Sequence, residues 1–121
     1  GLPLNVDLAE QVLRDLFPQG DAIPQVTIAR IQEAVSDRFG MTVTELCSQR
    51  RSQSIAYPRQ VAMYLSRELT DASLPKIGKE FGGRDHTTVI HATSKITRMI
   101  SEDRSVYNLV QDLTARIKQT R

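Results

Sequence analysis

Apolar side chains recur every three or four residues along most of the chain, and the alternating pattern of a β-strand is nearly absent. The clearest set lies between Thr27, which suits a helix N-cap, and Gly40, which suits the position just after a helix end. Its members are Ile28, Ile31, Val35 and Phe39. This spacing places the apolar groups on one face of an α-helix, which is buried against other helices. The sequence therefore predicts an all-α fold, a helical bundle.

The same reasoning divides the rest of the chain into helices and breaks. Thr44 is predicted to cap a short turn that holds Leu46 and Cys47, and the polar residues 49–54 are predicted to form a loop. Pro58 suits the first turn of the next helix, whose apolar side chains are Val61, Ala62, Leu65 and Leu69. A last helix is predicted over 103–119, with an apolar set of Val106, Leu109 or Val110, Leu113 and Ile117.

A turn-rich segment separates a leading amphipathic helix from the rest of the chain, because it contains Pro18, Gly20 and Pro24. We therefore expect residues 1–24 to form a connector helix with a hinge, and residues 25–121 to form one domain. A chain of 121 residues is long enough to bury one core without disulfides.

Composition narrows the class of protein. The single cysteine, Cys47, excludes an internal disulfide framework, no apolar run approaches the roughly 18 residues of a membrane span, and no secretion signal opens the chain. We therefore expect a soluble, cytoplasmic protein. The net charge of +2 conceals an asymmetry, since residues 1–48 carry −4 and residues 49–101 carry +5. A basic middle third favours an anionic partner.

The segment 74–100 is typical of a helix-turn-helix. Ser73 precedes a helix of barely two turns, a glycine pair ends it, and Asp85 suits the N-cap of a longer helix that runs to about Ser101. The second helix of such a motif can enter the major groove of DNA. Its buried stripe is predicted to contain Val89, Ala92 or Thr93, Ile96, and Met99 or Ile100.

The opposite face of this second helix is polar and basic. At about 100° per residue it carries Thr87, His91, Ser94, Lys95 and Arg98, with Thr88 at its border. Asp85, just before this face, and the two threonines suit base edges. A carboxylate accepts from a cytosine amino group, and threonine methyl groups pack on the thymine methyl group. Simpler interpretations stay open: an N-cap alone for Asp85, ordinary first-turn residues for the two threonines, and a solvated face for the basic residues.

Two further groups precede the motif. Arg50 and Arg51 lie in the predicted loop, where they form either an ordinary exposed pair or an arm in the minor groove, whose potential attracts arginine. Arg59 and Gln60 are predicted at a helix N-terminus, where free N–H groups and the helix dipole favour a phosphate. The alternative for that second pair is a pair of exposed first-turn residues.

An enzyme is not favoured by these residues. His86 and His91 are five positions apart, about 140° around a helix, so they do not face one metal ion, and one cysteine supplies no thiolate cluster. Residues 82–85 lack the pattern of a phosphate-binding Walker loop. Cys47 has no obvious base nearby and suits a small buried side chain. We therefore expect no catalytic residue and no metal ligand.

Three strings of residues are recognisable as a group: PRQVAMYLSREL at 58–69, SLPKIG at 73–78 and FGGRDHTTVIH at 81–91. They resemble the C-terminal DNA-binding domain of DnaA, the bacterial chromosomal replication initiator, and the similarity covers about residues 25–121. The segment 82–96 is similar to the signature of that family. Residues 1–24 resemble the connector that joins the domain to the ATPase module of the family.

The resemblance implies sequence-specific binding of double-stranded DNA, at the DnaA boxes of the replication origin. It implies base contacts from Asp85, His86, Thr87 and Thr88 in the major groove and from Arg51 in the minor groove. It implies backbone contacts from Arg50, Ser52, Arg59, Gln60, Leu74, Pro75, Lys76, His91 and Lys95, with main-chain N–H groups contributing at Leu74 and Lys76. Pro75 has no N–H and is expected only to shape that turn.

The sequence departs from the family at Gln49, Gln53 and Ser94, where relatives carry more basic residues, and fewer phosphate contacts would make the salt dependence shallower. In the family, ATP and magnesium belong to the ATPase module, which this chain lacks, so no cofactor is expected here. Other initiator protomers, met through that module, and regulatory proteins are the further implied partners, and a nucleoid-associated location is implied. The alternative function is a helical protein-interaction domain that binds an acidic partner.

Overall fold

The structure is a computed structural model, and it describes residues 26–119. The described part contains six α-helices and no β-strand, which confirms the all-α prediction. We number them α1 (Ile28–Phe39), α2 (Val43–Leu46), α3 (Gln53–Leu69), α4 (Leu74–Glu80), α5 (His86–Glu102) and α6 (Arg104–Gln119). The predicted connector helix and hinge, residues 1–24, lie outside the described residues.

Helix α1 begins and ends where the sequence predicts. The Thr27 hydroxyl accepts a hydrogen bond from the N–H of Arg30 at 3.1 Å. Gly40 follows the helix with a φ of 68°, a left-handed conformation that glycine adopts without steric cost. The structure therefore confirms both predicted caps.

Helix α2 is capped by Thr42, and the predicted cap at Thr44 is wrong. The Thr42 hydroxyl accepts from the N–H of Glu45, and the Glu45 carboxylate accepts from the N–H of Thr42, each at 3.0 Å. This reciprocal pair satisfies two N–H groups at the start of the helix. Thr44 lies inside the helix and is exposed, so it is not the N-cap.

Helix α3 begins five residues earlier than predicted. Pro58 is its sixth residue, so the predicted loop over 49–54 ends at Ser52. A proline removes the N–H that would bond the carbonyl four residues earlier, which belongs here to Ser54. Ser54 is exposed in the first helical turn, where its carbonyl can bond water, so the helix passes through Pro58.

The core lies between helices α1, α3, α5 and α6, with α4 packed across α3 and α5. Its fully buried side chains come from every helix: Ile31, Val35, Leu46, Val61, Leu65, Ile77, Val89, Ile96, Leu113 and Ile117. On α5 the core uses Ala92 rather than Thr93, with Met99 and Ile100 half-buried, and on α6 it uses Val110 rather than Leu109. An ion pair between Arg116 and Asp37 joins α6 to α1. None of the described helices is long and apolar enough to cross a membrane.

Helices α4 and α5 form a helix-turn-helix, as the glycine pair predicts. Ser73 caps α4, since its hydroxyl accepts from the N–H of Lys76 at 3.3 Å. Gly82 and Gly83 both have positive φ, 91° and 75°, and they turn the chain before α5 begins at His86. The two helices pack closely at Gly78, where a side-chain carbon would lie 2.1 Å from the carbonyl oxygen of Arg84.

Candidate nucleic-acid interface

Helix α5 presents a polar face opposite its buried stripe. His86, Thr87, Thr88 and His91 are exposed in its first two turns, and Lys95 is half-buried at one edge of that face. Ser94 and Arg98, further along, are also exposed. The structure therefore places the predicted base-reading residues of this helix together on its solvent side. These side chains are free of the core and can contact a ligand.

Asp85 holds its carboxylate at the start of this face. It occupies the N-cap position of α5, but its side chain makes no capping hydrogen bond. One carboxylate oxygen accepts from the Thr87 hydroxyl at 2.6 Å, and the other lies 3.3 Å from Nδ1 of His86. The Thr87 hydroxyl, and to a smaller extent the charge of His86, lower the pKa of Asp85. Asp85 is therefore an exposed, charged hydrogen-bond acceptor with a fixed orientation.

A basic groove runs between α3 and α5. Its volume is about 210 Å³, and its polar lining consists of Arg59, Gln60, Arg84, Thr88, His91 and Lys95. The groove brings together four of the residues that the family resemblance assigns to phosphate contacts. The amide oxygen Oε1 of Gln60 is buried there without a hydrogen-bond partner. Two arginines and a lysine in the lining of one groove suit an anionic group such as a backbone phosphate.

Arg59 has a different setting from the one predicted. It is the seventh residue of α3, not a first-turn residue, and only 6% of it is exposed. Its guanidinium donates to the carbonyls of Leu46 at 2.8 Å, and of Ser48 and Arg50 at 2.9 Å each. Burial, and then the charge of Arg84, lower the pKa of Arg59. Both sequence interpretations, a helix N-terminus and an exposed pair, are therefore wrong for this residue, and Gln60 beside it is half-buried.

Arg50, Arg51 and Ser52 are exposed in the loop between α2 and α3. The main chain of this loop is fixed although its side chains are free, because Arg59 holds the carbonyl of Arg50 and the Ser48 hydroxyl accepts from the N–H of Arg50 at 3.3 Å. Ser52 occupies the N-cap position of α3 without a side-chain cap. The predicted minor-groove arm is thus a short loop with an ordered backbone.

Arg84 is a residue of this surface that the sequence did not single out. Its guanidinium donates to the carbonyl of Ser48 at 2.8 Å and to that of Phe81. Burial and the nearby charge of Arg51 lower the pKa of Arg84, and Cys47 opposes them. The only sequence signal was its place after the glycine pair, and nothing in the spacing indicates which carbonyls it reaches.

The predicted contacts at the start of α4, which are Leu74, Pro75 and Lys76, are not among the residues that line the groove. Leu74 is half-buried and Pro75 exposed, in the first turn. The N–H of Lys76 already donates to Ser73, and its ammonium lies 3.4 Å from the carboxylate of Glu80.

Within residues 26–119, no three His, Cys, Asp or Glu side chains come together as metal ligands. Cys47 is half-buried, with Sγ 3.6 Å from the carbonyl oxygen of Glu80, and burial raises the pKa of its thiol. Because the thiolate is the nucleophilic form, this raised pKa makes the thiol a weak nucleophile at neutral pH.

A family model described as the helix-turn-helix of the bacterial DnaA protein matches residues 28–96. The match runs from the first residue of α1 to the third turn of α5, so it includes the loop of Arg50 and Arg51, the basic groove and the glycine turn. More than half of the chain is covered. The chain therefore belongs to the family of the bacterial DnaA helix-turn-helix, a DNA-binding domain.

Proposed function

We propose that this chain binds DnaA boxes in the replication origin and so docks the initiator there. The first turn of α5 reads bases in the major groove, through Asp85, His86, Thr87 and Thr88. Arg51 reads bases in the adjacent minor groove. Membership of the DnaA family and the exposure of all five side chains support this assignment.

The observation that carries the proposal is the basic groove between α3 and α5, which Thr88 helps to line. Asp85 is a fixed acceptor for a cytosine amino group, and arginine suits the negative potential of a narrow minor groove. A duplex that meets both would lay its backbone across Gln60, His91 and Lys95. Phosphate contacts of this kind set orientation, while base contacts set sequence. Arg50, Ser52, Leu74 and Lys76 would extend the backbone contacts on either side, and Pro75 would only shape the turn at the start of α4.

The direct test is a fluorescence-anisotropy titration of the 121-residue chain with a labelled DnaA-box duplex and with a scrambled duplex, at two salt concentrations. We expect tighter binding of the box and a linear fall of log affinity with log salt concentration. Equal affinities for both duplexes would overturn the proposal. Binding that ignores sequence and is matched by an acidic polypeptide such as polyglutamate would instead favour the protein-interaction alternative.

Single substitutions separate base readers from phosphate contacts. Asp85→Ala and Thr88→Ala should each remove about 1–3 kcal/mol of discrimination at one base pair. Lys95→Ala should weaken binding to the box and the scrambled duplex alike, and should reduce the salt slope by about one unit. An unchanged preference in both Asp85→Ala and Thr88→Ala would assign base reading to other residues.

In this proposal the chain itself carries no cofactor. In the family, the ATPase module binds ATP and magnesium, and the same module contacts other initiator protomers. The proposed location is the nucleoid in the cytoplasm, since the target is chromosomal DNA.

A further inference from the structure

The loop between α2 and α3 touches the turn of the helix-turn-helix directly. Residues 47–52 form the loop and residues 81–85 the turn, and we call their contact the loop–turn junction. Arg84 of the turn donates to the carbonyl of Ser48 at 2.8 Å, and the Gln49 side chain donates to the carbonyl of Gly82 at 3.2 Å. The backbones themselves are close, because a side-chain carbon on Gly82 would lie 2.4 Å from the carbonyl oxygen of Cys47.

Two arginines share one acceptor at this junction. The carbonyl of Ser48 receives hydrogen bonds from Arg59 of α3, at 2.9 Å, and from Arg84, at 2.8 Å. Arg59 anchors the loop to α3, while Arg84 anchors it to the turn that leads into α5. None of the ion pairs in the described part involves either guanidinium. Both guanidinium groups therefore donate to main-chain carbonyls and not to carboxylates.

The junction stands between the two sets of proposed base readers. Arg51 lies three residues after Ser48, and its charge acts on Arg84. Asp85 directly follows Arg84 in the chain and begins the base-reading turn of α5. The Arg84 side chain thus connects the start of α5 to the loop backbone that carries Arg51.

We infer that Arg84, assisted by Gln49, is a positioning residue that fixes Arg51 relative to the first turn of α5. The inference rests on the proposed function, since it concerns how the two grooves are read together. A loop that is already ordered loses less conformational entropy on binding than a free arm does. A fixed spacing also lets a single docking geometry serve both grooves, so the two readings act on the same stretch of duplex.

Groove-specific base analogues test this directly. Replacing adenine by 2,6-diaminopurine adds an amino group in the minor groove and leaves the major-groove edge unchanged. Replacing thymine by uracil removes a methyl group from the major groove and leaves the minor-groove edge unchanged. The affinity of the 121-residue chain is measured for a DnaA-box duplex with each analogue placed at one position at a time. The resulting two profiles report minor-groove and major-groove reading separately.

Arg84→Ala should flatten the diaminopurine profile and keep the uracil profile. We expect the largest diaminopurine effect in the wild type to be about 5- to 150-fold, and to fall below about threefold in the variant. Arg84→Lys keeps the charge but lacks the paired donors that bridge Ser48 and Phe81, so it should behave like Arg84→Ala. Gln49→Ala, at an exposed side chain, should show the same selective loss in smaller measure. This second position keeps the test valid where a change at Arg84 prevents folding.

Each of the following results would overturn the inference. Recovery of the diaminopurine profile in Arg84→Lys would show that Arg84 acts as a charge on phosphate. Equal flattening of both profiles, or wild-type profiles in Arg84→Ala and Gln49→Ala, would show that the junction does not position Arg51. A wild-type chain that prefers the box over the scrambled duplex and ignores diaminopurine would overturn this inference and the minor-groove role of Arg51, and would leave box binding through the major groove in place. A wild-type chain that prefers no sequence would overturn the proposed function as well.

Discussion

The carbonyl oxygen of Arg84 occupies the space that a side chain on Gly78 would need, since a Cβ there would lie 2.1 Å from it. The N–H of Arg84 also donates to the carbonyl of Gly78 at 2.8 Å. Helix α4 and the turn that leads into α5 are therefore packed backbone to backbone.

Gly78→Ala should consequently destabilise the domain, because the neighbour that must move is main chain. Overpacking of a tight site costs about 1–3 kcal/mol, and we expect the upper part of that range. Chemical denaturation measures the free energy of unfolding. Lys79→Ala, one residue later and exposed, is the matched control and should change it by less than about 0.5 kcal/mol. Equal stability of the two variants would contradict the packing argument.

The two threonines near α2 make a matched pair. Thr42→Ala removes a capping box and should cost about 1 kcal/mol of stability. Thr44→Ala removes an exposed hydroxyl that caps nothing and should be nearly neutral. Thermal melts of both variants under one buffer condition compare them. A larger loss in Thr44→Ala would show that the cap is misassigned.

Arg59→Met tests whether the buried guanidinium serves the fold. The change removes the Arg59 donor from the main-chain carbonyls of Leu46 and Arg50, while that of Ser48 keeps Arg84, and an unsatisfied buried acceptor costs about 1–3 kcal/mol. We expect a loss of at least that size for the variant as a whole. Arg67→Met, on the exposed side of the same helix, is the control. Wild-type stability with reduced DNA affinity would mean that Arg59 serves the ligand instead of the loop.

Thr87 controls the titration of Asp85. A carboxyl whose pKa is lowered on folding stabilises the fold at pH values above its unfolded pKa. This contribution is lost as the pH falls through the folded pKa. Thr87→Val removes the hydroxyl that is the main cause of the lowering, so the pKa of Asp85 should rise toward its ordinary value. The ¹³C shift of the carboxyl carbon, followed by NMR below about pH 5, measures it. Thr88→Val should leave that pKa where it is, and an unchanged value in Thr87→Val would refute the assignment.

Cys47 should react slowly with iodoacetamide at neutral pH. Burial raises the pKa of its thiol, and the thiolate is the nucleophilic form. The alkylation rate of the folded chain should therefore lie below that of the chain in denaturant, and should climb as the pH rises. Because the folded pKa is raised, the stability that this thiol contributes at neutral pH is lost as the pH rises through that value. Equal rates in the folded and denatured chains would contradict the burial.

The helices were predictable from the sequence because apolar spacing and glycine positions are local signals. Gly40 and the pair at 82 and 83 each adopt the left-handed conformation that the pattern requires. The start of α3 was not predictable in this way. Pro58 suits a first turn, and only the exposure of Ser54 in the first turn of the folded helix shows why the helix continues through Pro58.

In the candidate site, too, some residues could be predicted from local spacing and others could not. The polar face of α5 follows from helical geometry, so its members could be listed from spacing alone. The roles of Arg59 and Arg84 depend on carbonyls that lie 9 to 13 and 3 to 36 residues away in sequence, and no periodic pattern encodes such contacts. Whether an arginine holds the fold or faces a ligand is decided by tertiary packing.

The loop–turn junction also bears on the order in which the molecule assembles. Its hydrogen bonds join residues 33 and 36 positions apart, whereas the caps and turns of each helix join residues three or four apart. Contacts between residues distant in sequence form after the local ones, because closing the intervening loop costs entropy. We therefore expect the helices to form before the surface that would meet DNA is complete. On this view, a newly made chain becomes competent for its ligand only after this contact between distant residues has formed.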